Sequence, residues 1–145
     1  MNPLDPELHQ ADDILAIYLI INEQAADGAP MSPGKTAAQA FQAAQRLLDA
    51  YRDGAGSDEQ RASMRRWLNG GTRSIAKFAP TRHLFDRCAR ELDGITMVDE
   101  GLTEGTCGPT IHATWPLRRG QLPRMLRHKR LRLQPTTAQP QAAAA

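Results

Sequence analysis

A chain of 145 residues, 41% hydrophobic and 23% charged, suits one globular domain that buries a sizeable core without disulfides, and the composition excludes a disordered protein. A net charge of +2 excludes a strongly polyionic protein overall, and the longest apolar run, residues 14–21 (ILAIYLII), is far too short to span a bilayer. No basic segment precedes that run as in a signal peptide, and Cys88 and Cys107 lack CxxC spacing, so a cytoplasmic protein with reduced thiols is expected.

Residues 1–12 are polar, with prolines and several acids, and are expected to form a flexible lead-in. Residues 14–21 are Ile-rich and apolar throughout, as in a central strand covered on both faces. After a loop over 22–30, a helix is predicted from Pro33 to about Tyr51. Its inward side would carry Ala37, Ala38, Phe41, Ala44, Leu48 and Tyr51; its polar stripe would be Lys35, Gln39, Gln42 and Arg46. Ser57 can cap a second helix that runs to about Leu68 and stops at Gly70-Gly71.

A short strand over 74–78 and a third helix after Pro80 follow, with Leu84, Phe85, Cys88 and Leu92 facing inward and Gly94 at the stop. Residues 95–98 read as a strand that delivers Asp99 at its end. A Gly-rich loop over 100–109 leads to a strand over 110–115 with Ile111, Ala113 and Trp115 on one face. A short helix over 120–127 closes the domain, which spans 13–133; the tail, 134–145, is rich in Pro, Gln, Thr and Ala and is expected to be disordered. This order predicts an α/β fold with helices on both faces of one mixed sheet.

One position breaks the local rules. Ser32 is a good N-cap and Pro33 suits the first helical position, yet Lys35 stands where a capping box would place Glu or Gln. A cation there opposes the helix macrodipole at a cost of about 0.3–1 kcal/mol, and Gly34 beside it costs up to about 1 kcal/mol relative to alanine. Two poor choices in sequence point to a requirement other than stability.

Gly34-Lys35-Thr36 after a strand, with Asp99 later, invites a P-loop nucleotide-binding reading. The register fails, because Ala29 stands where that pattern needs its first glycine, and Pro30 and Pro33 remove N–H groups that would cradle phosphates. Lys35, Gln39 and Gln42 instead share a helix face, and loops at the carboxyl ends of parallel strands gather on one sheet edge. Asp99 and the start of the helix are therefore expected in one crevice, with Thr103 and Thr110 around the Gly-rich loop. A cation, a carboxylate and hydroxyls suit attack by water on an activated acyl group: Lys35 stabilises an oxyanion or phosphate and Asp99 orients or deprotonates the water. An ordinary ion pair between the two is the competing structural account.

Other residues offer less. Residues 117–133 hold Arg118, Arg119, Arg124, Arg127, Lys129, Arg130 and Arg132 with no acid, a distribution suited to a phosphate backbone or to a solvated basic end. His83 and His112 have no ligand-like neighbours, and no metal site is expected. Trp67 and Trp115 read as packing residues.

Residues 31–40, MSPGKTAAQA, resemble the GK-x-AAQ signature of the type 2 peptidyl-tRNA hydrolases, and residues 98–103, VDEGLT, followed by Gly108-Pro109-Thr110, are similar to their second signature. The likeness runs over about 14–133. It implies a three-layer α/β/α sandwich on a mixed, mainly four-stranded sheet, a homodimer, and an enzyme that needs no cofactor and cleaves the ester between a peptide and the terminal ribose of tRNA. It assigns catalysis to Lys35, Asp99, Thr103 and Thr110, and substrate contact to Gln39, with Gly34 and Gln42 beside it. Arg118, Arg119, Arg124, Arg127, Lys129 and Arg130 are the expected tRNA contacts. The chain departs from the family pattern at Gln42, commonly histidine, and at Glu100, commonly alanine. A tRNA-binding module without turnover is the alternative.

Overall fold

The Ile-rich run forms the centre of the sheet. In the computed structural model, which describes residues 14–100, 107–127 and 131–136, it is strand β1 (Leu15–Asn22). Helices α1 (Pro33–Arg52) and α2 (Asp58–Asn69) follow, then β2 (Arg73–Ala79), α3 (Arg82–Glu91), β3 (Gly94–Glu100), β4 (Cys107–Thr114), β5 (Leu117–Arg118), a 3₁₀ turn (Arg119–Gln121) and α4 (Arg124–Arg127). The strand order is β2-β1-β4-β3, with β5 beside the start of β1. β1 and β2 run parallel, whereas β4 is antiparallel to both β1 and β3.

Alternation along β1 builds two cores. Ile17, Leu19 and Ile21 pack with Ala43 and Leu47 of α1 and Met64 and Trp67 of α2. Ala16, Tyr18 and Ile20 face the other way, toward Leu84, Phe85 and Cys88 of α3 and Met125 and Leu126 of α4. The result is the expected three-layer α/β/α arrangement on a mixed sheet.

The helix starts obey local chemistry. Ser32 caps α1 by accepting from the Lys35 N–H, Ser57 and Gln60 form a reciprocal capping box on α2, and Thr81 caps α3. Trp67 is buried and donates its indole N–H to the Arg73 carbonyl, and Trp115 is buried in the core, so both are packing residues.

Three sequence expectations need correction. α1 is rolled relative to the predicted apolar face: Gln39, Ala43 and Leu47 are its buried residues, while Phe41 is 71% exposed. A polar partner on the sheet draws Gln39 inward, so its amide sits on the core side. The expected helix over 120–127 is broken into a 3₁₀ turn and a single α turn by Pro123, which cannot donate to a continuing ladder. Finally, residues 134–136, placed by the sequence in a disordered tail, stay attached, while 137–145 lie outside the described residues. Phe78 and Arg132 exchange two backbone hydrogen bonds, and Thr136 donates its hydroxyl to the buried Glu23 carboxylate at 2.7 Å while accepting from Arg132 at 2.9 Å.

Gly94 opens β3 where a Cβ would overlap the carbonyl oxygen of Ala113. Gly34, by contrast, has open space around its Cα. Gly94→Ala is expected to lower stability by about 1–3 kcal/mol or more, whereas Gly34→Ala should be neutral or gain up to about 1 kcal/mol; denaturant titration of both variants checks the contrast.

Candidate active site

Because β3 and β1 are both antiparallel to β4, they run in the same direction. The carboxyl end of β3, the Asn22 end of β1 and the start of α1 therefore meet on one edge. There Lys35 Nζ lies 2.9 Å from Asp99 Oδ2, with the two side chains only 12% and 8% exposed. The misplaced cation in the first turn of α1 is thus matched by a carboxylate delivered from the sheet. Partial burial strengthens their attraction relative to water and also makes loss of either partner costly, since an unmatched charge remains.

One turn further along α1, Gln39 is 5% exposed and Thr110 fully buried. The Thr110 hydroxyl donates to Gln39 Oε1 at 2.7 Å, with the Met97 carbonyl at 3.4 Å. Strict alternation with Ile111 would aim Thr110 at the opposite helical layer. The register shifts at this point, with Met97 opposite Ile111 but Val98 opposite Pro109, so Thr110 is the extra residue of a β-bulge. Such a bulge re-aims a side chain, here toward α1. Gly108, at φ +105°, supplies the left-handed backbone just upstream.

Asn22, absent from the sequence reading, fastens this edge. Its Nδ2 donates to the Pro109 carbonyl at 2.9 Å, and its Oδ1 accepts from the Gln24 N–H at 3.0 Å. A buried amide ending an apolar run was the available signal, since such a group must find partners. The β1–α1 loop closes as a tight turn through Asp27 and Gly28, at φ +49° and +81°, with Ala26 and Ala29 bonding each other's carbonyls. Those two N–H groups are spent within the turn and are not free to cradle a phosphate.

Lys35, Asp99, Gln39 and Thr110 are thus brought to one side of the sheet, against α1. Gln42 is not drawn in with them: it is exposed at the edge of the helix face that buries Gln39. Gly34 is exposed at the helix start, and Thr103 lies outside the described residues. Of the basic segment, Arg118 pairs with Leu15 at the far end of β1, Arg119 and Arg124 are exposed, Arg127 ends α4, and Lys129 and Arg130 lie outside the described residues. Arg118 and Arg119 are therefore at the opposite sheet edge from Lys35.

The remaining titratable candidates are structural. His112 is buried, with Nε2 2.7 Å from the Leu92 carbonyl and Nδ1 2.8 Å from the Thr96 hydroxyl. A carbonyl can only accept, so Nε2 carries the proton and Nδ1 accepts from Thr96. Cys88 is a free, buried thiol whose pKa burial pushes up to about 11, which leaves it inert at neutral pH. His83 is exposed. Among the described residues no three His, Cys, Asp or Glu side chains gather as a metal site requires, and no helix is long and apolar enough to cross a membrane.

Comparison with known proteins yields no matching family model and no significant match among curated proteins.

Burial holds the His112 pKa below its ordinary value, outweighing the Leu92 hydrogen bond and the nearby Asp93 charge. Below about pH 6.5 the unfolded chain takes up a proton that the folded one refuses, so stability falls as pH drops, with a slope of up to about 1.4 kcal/mol per pH unit. Urea unfolding from pH 7.5 to 5 should show this loss, and His112→Gln should flatten it.

Proposed function

We propose that the protein is a peptidyl-tRNA hydrolase, cleaving the ester between a peptide or N-blocked aminoacyl group and the terminal ribose of tRNA. The observation that carries the reading is the nearly buried Lys35–Asp99 pair in the first turn of α1, one turn from the Gln39–Thr110 hydrogen bond. These four are among the five residues that the two signature-like motifs assign, Thr103 being the fifth, and they arrive from three separate elements.

In this reading Asp99 holds a water molecule and takes its proton as the oxygen attacks the ester carbonyl. The ammonium of Lys35 stabilises the oxyanion that forms, assisted by the positive end of α1. Collapse breaks the bond to the ribose oxygen, which leaves with the proton that Asp99 received. Atoms balance with water alone. Gln39 orients the acyl group, and the buried Thr110 hydroxyl acts through it by fixing its amide. Gln42 cannot titrate and so has no acid–base role, but its exposed amide can hydrogen-bond the substrate. The basic segment supplies attraction for the polyanionic substrate.

Release of free tRNA from N-blocked aminoacyl-tRNA tests the reading. Lys35→Ala and Asp99→Asn should each lower kcat/KM by about 100-fold or more while retaining the native circular dichroism spectrum. Tight tRNA binding with no turnover by the folded parent protein would instead identify a binding module. For the partner surface, replacing Arg124, Arg127 and Arg130 with Gln should reduce the slope of log affinity against log salt by about 2–3. An unchanged slope excludes the segment from the interface.

A further inference from the structure

Tyr18 occupies the middle of β1, on the face that carries α3 and α4, and is 2% exposed. A phenol buried this far normally gives its hydroxyl to a protein acceptor, because leaving it unmatched costs the desolvation of a polar group. Among the described residues none hydrogen-bonds the Tyr18 hydroxyl; the residue's one hydrogen bond outside the ladder runs from its backbone N–H to Thr114. Its side chain lines a cavity of about 400 Å³ together with Ile14, Arg73, Ser74, Ile75 and Arg119.

The surrounding charge has one sign. Register places Arg73, Ile75 and Lys77 opposite Ala16, Tyr18 and Ile20, so the three β2 side chains share the Tyr18 face. Burial disfavours the Tyr18 phenolate and the Lys77 ammonium, and the Arg119 guanidinium acts on both to a lesser degree. No carboxylate among the described residues forms an ion pair with Arg73, Lys77 or Arg119. Arg73 and Arg119, both exposed, thus converge on a cavity that Tyr18 lines, with Lys77 nearby on the same face, a setting that suits an anion. The walls also carry Ile14 and Ile75, which an inorganic ion would leave uncovered.

We propose that this cavity binds a small organic phosphate, a phosphomonoester of up to mononucleotide size. Arg73 and Arg119 hold the phosphate through their planar donor forks, the Tyr18 hydroxyl donates to it, and Lys77 adds charge. The organic body lies against Ile14 and Ile75. The volume falls in the range of small-molecule sites, and a concave, partly apolar pocket suits a compact ligand better than an extended nucleic-acid backbone. Tyr18 is four residues, about 13 Å, from the Asn22 end of β1, so the site is separate from Lys35 and Asp99 and stands whether or not the hydrolase reading does.

Isothermal titration of the full chain with AMP, ribose 5-phosphate and inorganic phosphate tests the proposal. At least one of the two organic phosphates should bind saturably with a Kd below about 1 mM, and inorganic phosphate should compete at least about tenfold more weakly. Arg73→Gln and Arg119→Gln should each weaken that binding about tenfold, and Tyr18→Phe about threefold or more, with the melting temperature of the unliganded protein unchanged by the arginine substitutions. Absence of saturable binding by both organic phosphates overturns the proposal, as does binding that the arginine variants leave intact. A parallel titration with deacylated tRNA separates the sources. If the arginine variants lose tRNA affinity while neither organic phosphate binds the parent, the cavity contacts a polynucleotide and the small-ligand assignment is wrong.

Discussion

The hydrogen bond between Thr110 and Gln39 fixes how α1 lies on the sheet. A helix packed only by its aliphatic stripe could turn Phe41 inward and leave its glutamines in water. The bulge in β4 aims a buried hydroxyl at the helix, and that hydroxyl has no route to solvent; a polar side chain must meet it. Gln39 does so, Ala43 and Leu47 fall into line on the same face, and Phe41 is carried out to the surface. The same roll sets Lys35, one turn earlier, over the end of β3. Polar satisfaction on the sheet thereby determines where a cation is held.

Much of this architecture was legible in the sequence because its signals are local. Continuous Ile-rich apolarity marked β1, and Ser32, Ser57 and Thr81 marked helix starts. The wrong charge at Lys35 announced a partner, and the parallel direction of β1 and β3 was enough to name Asp99. The bulge was not legible, because it depends on counting residues across two paired strands, and Thr110 reads as an ordinary member of an alternating run. The roll of α1 was lost for the same reason: hydropathy ranks Phe41 as inward and Gln39 as outward until the hydroxyl that Gln39 serves is known. Asn22 was overlooked beside its apolar neighbours. The cavity around Tyr18 draws its two arginines from elements far apart in the chain, so no window of sequence contains it.

The two polar centres of the molecule lie toward opposite ends of β1, and they differ in how charge is balanced. At the edge where β3 ends, cation and carboxylate meet within 2.9 Å. Toward the other edge, Arg73 and Arg119 gather, with Lys77 nearer the middle of the sheet, without an acidic counterpart among the described residues. A net charge of only +2 conceals this polarity, which belongs to the fold. Long-range attraction for anions is accordingly directional, and salt weakens it beyond roughly 8–10 Å.

The exchange of backbone hydrogen bonds between Phe78 and Arg132 has a bearing on self-association. β2 is an edge strand, and such a strand offers unused N–H and C=O groups to any extended chain that drifts past. The segment around Arg132 occupies that template at its far end, and the Glu23–Thr136–Arg132 hydrogen bonds keep it there. The strand also carries Arg73 at its start and Lys77 beside Phe78, which would meet other cations across a symmetric strand-to-strand contact. A short return of the chain and two like charges therefore guard this border of the sheet against fibre-like pairing, by obstruction at one end and by repulsion along its length.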